Sequence, residues 1–437
     1  MVNFYDKIIT LKGGNKMSRV YFVIDMKSFF ASVECAERGL DPWTANLVVA
    51  DAERTEKTIC LAISVNMKKL GVKNRCRLWM VPKDIDYIIA RQRMNKYIEY
   101  AAEIYGIYLK YMDKNDIHVY SIDECILDVT DYLKLYNTKA KPFALKLMNE
   151  IWEKLHIPAT CGIGTNMYLA KIALDITAKH SKDRIGWLNE EKYIRTLSHH
   201  KPITDFWRIS TGTANRLLKY GVDDQAGIRD LDPDLLYKEF GVNAELIIDH
   251  AYGREPTLMS DIKAYKSKSV SVSSHEILAC SYNKKDALLV LKEMIQNGCY
   301  RLYSQNLVTN SVAIAVGFED RFGTHATIPL TISTCIYNYI IDDVVNAYNK
   351  IVPENVMIKT LGYSFNVLDK ECEHYDLFTD MEDVSKEKKL LDSIMKLKDK
   401  YGKNSVLKAM DFEEKATVRE RNLMIGGHRS GEDEEKR

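Results

Sequence analysis

The sequence predicts an α+β protein made of several domains, and three observations support this prediction. The chain has 437 residues, whereas an ordinary domain has roughly 100–200. Hydrophobic residues make up 46% and charged residues 28% of the chain, which is typical of a folded protein rather than a disordered one. Up to residue 180, short apolar runs alternate with segments of helical spacing. This alternation indicates a sheet covered by helices.

The first predicted strand carries an acidic residue at its end. Residues 20–24 (VYFVI) form an apolar run that is followed by Asp25, so we expect a buried strand that places a carboxylate at its tip. A helical pattern follows over residues 27–38, and a second apolar run lies at residues 47–50. Apolar residues between 85 and 111 recur with helical spacing, which predicts a helix there.

A basic window lies between the second apolar run and this helix. Between Glu56 and Asp84 the sequence contains no acidic residue. The window contains seven cationic residues: Lys57, Lys68, Lys69, Lys73, Arg75, Arg77 and Lys83. Such a window suits a polyanion, and a solvated surface is the alternative interpretation.

The next segments complete the predicted sheet. Residues 117–129 (IHVYSIDECILDV) predict two short strands that flank two adjacent acids. A helix is expected at residues 143–155, a strand at 159–163, and a turn at 162–166 that leads into another helix.

The second half of the chain changes in character. Residues 181–254 predict short helices and a small all-helical module, whereas residues 263–368 mix strands and helices and predict a separate α+β domain. This domain opens on residues 263–274 (KAYKSKSVSVSS), which we expect to form an extended strand with phosphate-contacting side chains. Residues 380–437 are charge-rich and predict a helix and a frayed tail.

Cysteine content and hydropathy indicate the cellular setting. The chain has nine cysteines, an odd number, without a C-x-x-C pair, which is typical of reduced cytoplasmic thiols. No run approaches the roughly 18 apolar residues of a membrane span, and the N-terminus lacks the apolar block of a signal peptide. We therefore expect a cytoplasmic protein without a membrane partner. The net charge is +1, so total charge does not indicate nucleic acid.

Three carboxylates are the strongest candidates for chemistry. Asp25, Asp123 and Glu124 are each expected at a strand end of one sheet. Carboxylate oxygens are the ligands that Mg²⁺ prefers, and two such ions promote in-line displacement at phosphorus. The alternative is that Asp25 caps a strand and that the other two acids lie in a solvated turn.

Three segments resemble, in order and spacing, the signatures of the Y-family translesion DNA polymerases. They are residues 25–34 (DMKSFFASVE), 120–124 (YSIDE), and 161–166 (CGIGTN) with 169–171 (LAK). Residues 64–72 (SVNMKKLGV) and the C-terminal residues 420–428 are similar to the UmuC-like branch, particularly its Gram-positive members. The resemblance covers roughly residues 17–368.

The resemblance implies a right-hand polymerase with a mixed α/β palm, small fingers, an all-helical thumb and an α+β little finger. The implied regions are an N-terminal extension (1–16), palm (17–30 and 76–180), fingers (31–75), helix-hairpin-helix-like thumb (181–256), little finger (265–368) and a C-terminal linker with a charged tail (369–437).

The resemblance also implies roles at the carboxylates. Asp25 and Asp123 would bridge two Mg²⁺ ions, for which Mn²⁺ can substitute. Glu124 would assist the ion that activates the primer 3′-hydroxyl, and the Met26 carbonyl would join the ion on the nucleotide side.

The incoming deoxynucleoside triphosphate would meet four further residues. Phe30 is expected beneath the deoxyribose as a steric gate, and Phe29 would turn its ring toward the core and meet the nucleotide through its backbone. The alternative is that both rings pack within the helix. Lys68 and Lys179 would hold the triphosphate. Many family members carry a Tyr and an Arg in the fingers, where this chain has Val65 and Lys68.

Primer-template DNA would meet the thumb and the little finger. Arg208 and Ser210 stand where the thumb hairpin normally carries glycines, so the charge of Arg208 would replace a backbone donor to DNA phosphate. Lys266 and Lys268 are expected to bind DNA from the basic stretch.

Residues 374–378 (HYDLF) resemble a short peptide that docks on the bacterial sliding clamp, the beta clamp. His374 stands where the peptide usually has Gln, and Asp376, Leu377 and Phe378 match its other half. The alternative is that the apolar pair tucks against the little finger.

The resemblance implies a low-fidelity, template-directed DNA polymerase for SOS-type translesion synthesis. SOS accessory proteins are further partners that the resemblance allows. The alternatives are a catalytically reduced DNA- or clamp-binding scaffold and another palm-type two-metal nucleotidyl enzyme, such as a cyclase.

Overall fold

The computed structural model of the chain describes residues 19–53, 57–267, 270–320 and 322–431. The predicted N-terminal extension, Lys268 and the charged end of the predicted tail lie outside the described residues. The described part falls into two compact units, one up to Tyr265 and one from Lys266 on. Within these residues, no helix is both long enough and apolar enough to cross a membrane.

The first unit mixes strands and helices along the chain. Its strands are β1 (Tyr21–Met26), β2 (Leu47–Val49), β3 (Ala62–Ile63), β4 (Ile88–Ala90), β5 (Ile117–Val119), β6 (Glu124–Asp128), β7 (Ala159–Gly164) and β8 (Ile185–Leu188). Its helices are α1 (Phe29–Glu37), α2 (Val65–Lys69), α3 (Met94–Leu109), α4 (Thr130–Leu135), α5 (Ala140–Leu155), α6 (Met167–Ile172), α7 (Glu190–Leu197), α8 (Thr211–Leu218), α9 (Gln225–Asp230), α10 (Pro233–Phe240), α11 (Asn243–Ala251) and α12 (Met259–Ala264).

A five-stranded sheet forms the core of this unit, in the order β5-β6-β1-β7-β8. The central strand β1 is antiparallel to both neighbours, and β7 is parallel to β8. Side chains alternate between the two faces of a strand: Phe22 faces Phe143 of α5 with 6.1 Å between ring centroids, and Val23 packs in one cluster with Met167 and Ala170 of α6. The prediction of a helix-covered sheet is confirmed.

Two glycines of β7 allow α6 to lie directly on the sheet. A Cβ atom on Gly162 would stand 2.0 Å from the carbonyl oxygen of Ala170, and one on Gly164 would stand 2.1 Å from the Ala170 amide nitrogen. Both distances are far inside van der Waals contact, so only glycine admits the helix backbone here. The Gly-x-Gly segment therefore sets the position of Lys171, the next residue of α6.

A second, three-stranded sheet has the order β3-β2-β4, with β2 antiparallel to β3 and parallel to β4. The predicted helix from residue 85 is wrong at its start, because residues 88–90 form β4 and α3 begins at Met94. Ile88 and Ile89 are 42% and 43% exposed. Their apolar spacing therefore marks a short edge strand rather than the buried face of a helix.

Helices α7 to α11 pack around a shared apolar core that includes Phe206, Leu217 and Leu236. The predicted start of this all-helical module at residue 181 is too early, because β8 belongs to the five-stranded sheet. Helix α8 begins at Thr211, because Ser210 is its N-cap and accepts a hydrogen bond from the amide of Thr213.

The second unit contains a four-stranded antiparallel sheet in the order β11-β10-β12-β9. Its strands are β9 (Ser271–Tyr282), β10 (Leu307–Phe318), β11 (Thr324–Thr334), β12 (Ile358–Asp369), β13 (Met424–Ile425) and β14 (His428–Arg429). Its helices are α13 (Lys284–Ser304), α14 (Ile341–Ile351), α15 (Met381–Tyr401) and α16 (Val418–Arg421). Helices α13 and α14 pack on the sheet and bury one apolar cluster.

The predicted basic strand over residues 263–274 is wrong in its first part. Lys263 lies in α12, and β9 begins only at Ser271. Met259 of α12 is buried in the same cluster as Tyr21 and Met167, and Ile262 packs against it. This burial favours a helix over the extended conformation that the alternating valines indicated.

The helix predicted within residues 380–437 is confirmed as α15, whereas the predicted frayed tail is wrong up to residue 431, because the segment after α15 packs against the second unit. Leu391 of α15 belongs to the core cluster of the second unit. The fully buried Glu293 of α13 accepts hydrogen bonds from the amides of Thr417 (3.0 Å) and Val418 (3.1 Å) and forms an ion pair with Arg421 (2.9 Å). Some charged residues of this segment, such as Arg421, therefore form largely buried contacts with α13, and others are solvated.

Candidate active site

Strand pairing brings the three predicted carboxylates together. Asp25 on β1 lies opposite Glu124 on β6 in the antiparallel register. The Met26 amide donates a hydrogen bond to the carbonyl oxygen of Asp123 (2.9 Å). Asp25, Asp123, Glu124 and the Met26 backbone therefore meet at one end of the five-stranded sheet.

Negative charge is costly at this end of the sheet. Burial, followed by the charges of Asp123 and Glu124, raises the pKa of Asp25 to about 7. Burial also raises the pKa of Glu124, although the neighbouring Lys171 opposes this rise. One lysine does not offset the cluster, so further positive charge would stabilise the ionised carboxylates.

Lys171 is a site residue whose role sequence reasoning missed. Its Nζ atom lies 2.8 Å from Glu124 Oε2 and 3.2 Å from Asp175 Oδ2. The lysine side chain is 10% exposed and that of Glu124 7%, which makes this a buried ion pair. Two signals in the sequence point to this lysine: its i,i+4 spacing from Asp175 and its place in the LAK segment, residues 169–171.

The carboxylates suit a hard divalent cation. Glu124 Oε1 is buried and has no hydrogen-bond partner, which is costly for an anionic oxygen. A cation would give this oxygen a partner and would offset the repulsion that raises the pKa of Asp25. The three carboxylates share one end of the sheet, but in the described part of the chain no group of three acidic, histidine or cysteine side chains is arranged closely enough to hold a metal ion as it stands. Lys171 holds the other oxygen of Glu124, and Ser121 donates to Asp123 Oδ1 (2.7 Å).

Lysines surround the acidic cluster. Burial lowers the pKa of Lys27, with Asp25 opposing and with Arg184, Lys179 and Lys69 adding to the fall. Desolvation likewise lowers the pKa of Lys68, again with Asp25 opposing. Lys179 is 60% exposed and lies 3.7 Å from Asp175. Lys68 and Lys179, the lysines predicted to hold the triphosphate, therefore place positive charge close to Asp25. This charge favours an anionic ligand beside the carboxylates.

An indole ring joins two of these cations. Lys69 Nζ lies 5.7 Å from the centroid of the Trp43 ring, and the Arg184 guanidinium lies 5.2 Å from it. These distances are typical of cation–π contacts. Residues 43, 69 and 184 are far apart in the sequence, and no local pattern identified this contact.

The two predicted nucleotide-facing phenylalanines occupy different environments. Phe29 is 3% exposed, whereas Phe30 is half-buried and stacks on Tyr97 with 4.5 Å between ring centroids. The Tyr97 hydroxyl donates to the fully buried Glu34 (2.8 Å). Arg93 also pairs with Glu34 (2.9 Å). This network holds Tyr97 behind the ring of Phe30, and sequence reasoning missed it.

The predicted DNA-binding residues lie in different parts of the chain. Arg208 is exposed, adopts a left-handed φ of 75° and lies 4.9 Å over the ring of Trp207. A left-handed φ favours glycine, in agreement with the glycine expected at this position of a thumb hairpin. Lys266 is exposed at the start of the second unit, and Lys268 lies outside the described residues.

The predicted clamp-binding peptide is exposed on the second unit. Leu377 is 99% and Phe378 96% exposed, so the alternative in which the pair tucks against the same unit does not hold. His374 pairs with Ser333 through backbone hydrogen bonds of 3.0 and 3.2 Å. Asp376 Oδ1 accepts a hydrogen bond from the Phe378 amide (3.1 Å), which forms a turn that presents the apolar pair.

Comparison with known sequences places the carboxylates within a described domain. Residues 24–175 match the model of the impB/mucB/samB family. The chain is 27% identical over 413 residues to UvrX, a candidate UV-damage repair protein of Bacillus subtilis (strain 168), across 93% of this chain and 97% of that protein. It is 26% identical over 420 residues to DNA polymerase IV 2 of the same organism, across 94% and 98%.

Solved structures show the same fold. A Y-family DNA polymerase chimera of Dbh and Dpo4 matches with a TM-score of 0.64 at 21% identity, across 79% of this chain and 98% of that chain. An insertion ternary complex of Dbh DNA polymerase matches with a TM-score of 0.51 at 19% identity, across 80% and 99%. Residues 24–175 of the chain therefore match an impB/mucB/samB domain, and the chain has the fold of the Y-family DNA polymerases.

Proposed function

We propose that this chain is a DNA-directed DNA polymerase of low fidelity that extends primers past damaged template bases, as in SOS-type translesion synthesis. The observation that carries this proposal is the partly buried carboxylate cluster of Asp25 and Glu124 with Lys27 and Lys68 beside it. Nucleotidyl transfer needs both charges, because the carboxylates would hold the metal ions that supply positive charge at the reacting phosphorus, and the lysines would hold the remaining phosphates. The named relatives support the same activity.

Each residue of the carboxylate cluster has a proposed task. Asp25, Asp123, Glu124 and the Met26 carbonyl hold two Mg²⁺ ions. When bound, these ions supply the charge that lowers the pKa of the primer 3′-hydroxyl and offsets the charge of the leaving pyrophosphate. Lys171 orients Glu124 through one oxygen and leaves the other for the metal.

Residues beside the carboxylates select and hold the nucleotide. Lys68 and Lys179 hold the triphosphate as point charges rather than as bidentate groups. Phe30 acts as the steric gate against a 2′-hydroxyl, and its stacking on Tyr97 supports this role because a backed ring cannot retreat from the sugar. Phe29 remains in the core and contributes its backbone.

Residues outside the carboxylate cluster hold the primer-template DNA. Arg208 contacts a DNA phosphate from the helical module, and Lys266 and Lys268 contact the backbone from the second unit. SOS accessory proteins remain proposed partners on the basis of the resemblance. A cytoplasmic location is supported by the nine cysteines, all of which are free thiols.

The sliding clamp is a proposed partner of residues 374–378. The exposure of Leu377 and Phe378 supports docking in an apolar pocket, because a solvated apolar pair gains from burial on a partner. A surface-binding measurement against the bacterial clamp tests this. The double variant Leu377→Ala/Phe378→Ala should lose binding, whereas Phe322→Ala, which removes an equally exposed ring (99%), should not. Equal binding by the double variant and the parent would refute this partner.

Primer extension with Mg²⁺ on undamaged and lesion-containing templates tests the proposed activity. The parent should extend both primers. Asp123→Asn should abolish extension, and Glu103→Gln, which alters an exposed acid on α3 of the same unit, should not. A cyclase would consume nucleotides without a primer, and a scaffold would bind DNA without extending it. Either result would contradict the proposal.

A further inference from the structure

We propose that Trp207 is a positioning residue that fixes the turn of residues 120–124, which carries the carboxylates Asp123 and Glu124. The tryptophan packs against the core of the helical module, whereas the turn joins β5 to β6 of the five-stranded sheet. This inference rests on the proposed polymerase function and adds a residue that acts on the reaction through another side chain, Tyr120.

Trp207 contacts the first residue of this turn directly. Its Nε1 atom donates a hydrogen bond to the hydroxyl of Tyr120 (3.0 Å), and the two rings meet edge to face with 5.9 Å between their centroids. The two residues are 87 positions apart, so the contact joins the helical module to the sheet. A hydrogen bond combined with an edge-to-face ring pair fixes both the distance and the angle between the two side chains.

The indole of Trp207 is itself held in place. Phe206, its neighbour in the sequence, is 1% exposed and lies in the core of the helical module. The Trp207 ring stacks on the buried His250 with 6.1 Å between centroids, and His250 stacks on Tyr168 of α6 with 3.8 Å between centroids. His250 also pairs with Glu255 (3.1 Å). The indole therefore stands on a packed base when it contacts Tyr120.

Tyr120 connects this contact to the carboxylates. The amides of Tyr120 and Ser121 both donate to the carbonyl oxygen of Glu124 (2.9 and 3.1 Å), which closes the turn. The Nζ atom of Lys171, which pairs with Glu124, lies 5.8 Å from the centroid of the Tyr120 ring, a distance typical of a cation–π contact. A shift of this ring would therefore disturb both the backbone of the turn and the lysine that orients Glu124.

The position of the Tyr120 ring depends on the indole. Tyr120 is 44% exposed, so the core does not fix its side chain, and exposed side chains change rotamer readily. Metal-binding groups must be held within about 0.5 Å of their productive positions. Without the contact to Trp207, the turn would hold Asp123 and Glu124 less precisely.

The neighbouring Arg208 separates this role from a grip on DNA. Its guanidinium lies 4.9 Å from the same indole ring, and it is the residue proposed to contact a DNA phosphate. Trp207→Phe removes the hydrogen bond to Tyr120 but leaves an aromatic ring beside the arginine. This variant should therefore change the rate of the reaction rather than the affinity for DNA.

A double-mutant cycle of Trp207→Phe and Tyr120→Phe tests this inference, because each variant removes one partner of the hydrogen bond and keeps an aromatic ring. The first measurement is single-turnover incorporation of one deoxynucleotide with saturating Mg²⁺ and primer–template. The second is binding of Mn²⁺ without DNA, followed by electron paramagnetic resonance of the free ion, with Asp123→Asn to identify the ions bound at the carboxylates. Trp152→Phe is the matched control, because Trp152 is also half-buried and meets His156 edge to face at 5.8 Å.

Each single variant should lower the incorporation rate and the Mn²⁺ affinity about 2- to 10-fold, with DNA affinity close to that of the parent. The double variant should lose no more than the weaker single variant, because both changes remove the same contact. Trp152→Phe should match the parent. Single variants that match the parent would overturn the inference, and so would losses that multiply in the double variant or that appear only in DNA affinity. A parent that shows the Mn²⁺ pattern but extends no primer would contradict the proposed function alone.

Discussion

Replacing Lys171 by methionine removes a buried charge and keeps most of the aliphatic stem. The lysine and Glu124 are 10% and 7% exposed, with 2.8 Å between their charged atoms, and Asp175 lies 3.2 Å from the same nitrogen. Removing one partner of a buried pair typically costs about 3–5 kcal/mol, because the other charge remains buried. We therefore expect Lys171→Met to lower the free energy of unfolding of the first unit by that amount.

Tryptophan fluorescence during urea unfolding measures this free energy, because all five tryptophans lie in the first unit. Lys110→Met is the matched control. It breaks a pair with Glu150 at the same distance of 2.8 Å, but the lysine is 48% exposed, so we expect less than about 1 kcal/mol. Lys171→Met/Glu124→Gln should recover part of the loss, because it leaves no carboxylate at position 124. A Lys171→Met cost no larger than that of Lys110→Met would refute the buried-pair account.

Three further predictions concern Asp25, Phe30 and Arg208. The folded-state pKa of Asp25, about 7, lies above its ordinary value of 3.8, so without metal its contribution to stability is full below about pH 4 and is lost as the pH rises through about 7. Urea midpoints at pH 5 and pH 8 in chelator should show a smaller loss for Asp25→Asn than for the parent, and equal losses would contradict this. Phe30→Ala should raise ribonucleotide incorporation, measured as the ratio of the kcat/KM values for ribonucleotides and deoxyribonucleotides, by at least about tenfold. Tyr97→Leu should give a smaller rise. A loss of stability in Phe30→Ala without this rise would contradict the role of Phe30 as a steric gate. Arg208→Gly should raise the free energy of unfolding by up to about 1 kcal/mol, because glycine adopts the left-handed φ without strain. The same variant should bind DNA more weakly and with a shallower salt dependence, and unchanged DNA affinity would exclude a phosphate contact.

The sequence was sufficient to predict that the three carboxylates lie at strand ends of one sheet, because the signals for their placement are local. An apolar β-branched run ending in Asp25 indicates a buried strand with an acid at its tip, and two adjacent acids between short strands indicate its partner. The Gly-x-Gly before α6 was noted as a motif, and the close approach of helix and sheet supplies its physical reason.

The parts that sequence reasoning missed depend on contacts between distant residues. Lys171 and Glu124 are 47 positions apart, and Tyr97 and Glu34 are 63 apart, so no window contains both partners. Strand β4 was taken for part of a helix because its apolar pair sits on an edge beside β2, a neighbour that the local pattern does not reveal. The part of the C-terminal segment after α15 was taken for a tail because Glu293, the buried residue that binds it, lies in another helix.

Single-turnover incorporation of one correct deoxynucleotide tests most directly the central claim that the carboxylates at the end of β1 and β6 perform nucleotidyl transfer. With saturating Mg²⁺ and primer–template, Asp25→Asn should reduce the incorporation rate by at least about 100-fold, while DNA affinity and the urea midpoint with Mg²⁺ stay close to those of the parent. An Asp25→Asn rate within about tenfold of the parent rate, in a variant that folds and binds DNA normally, would contradict the claim.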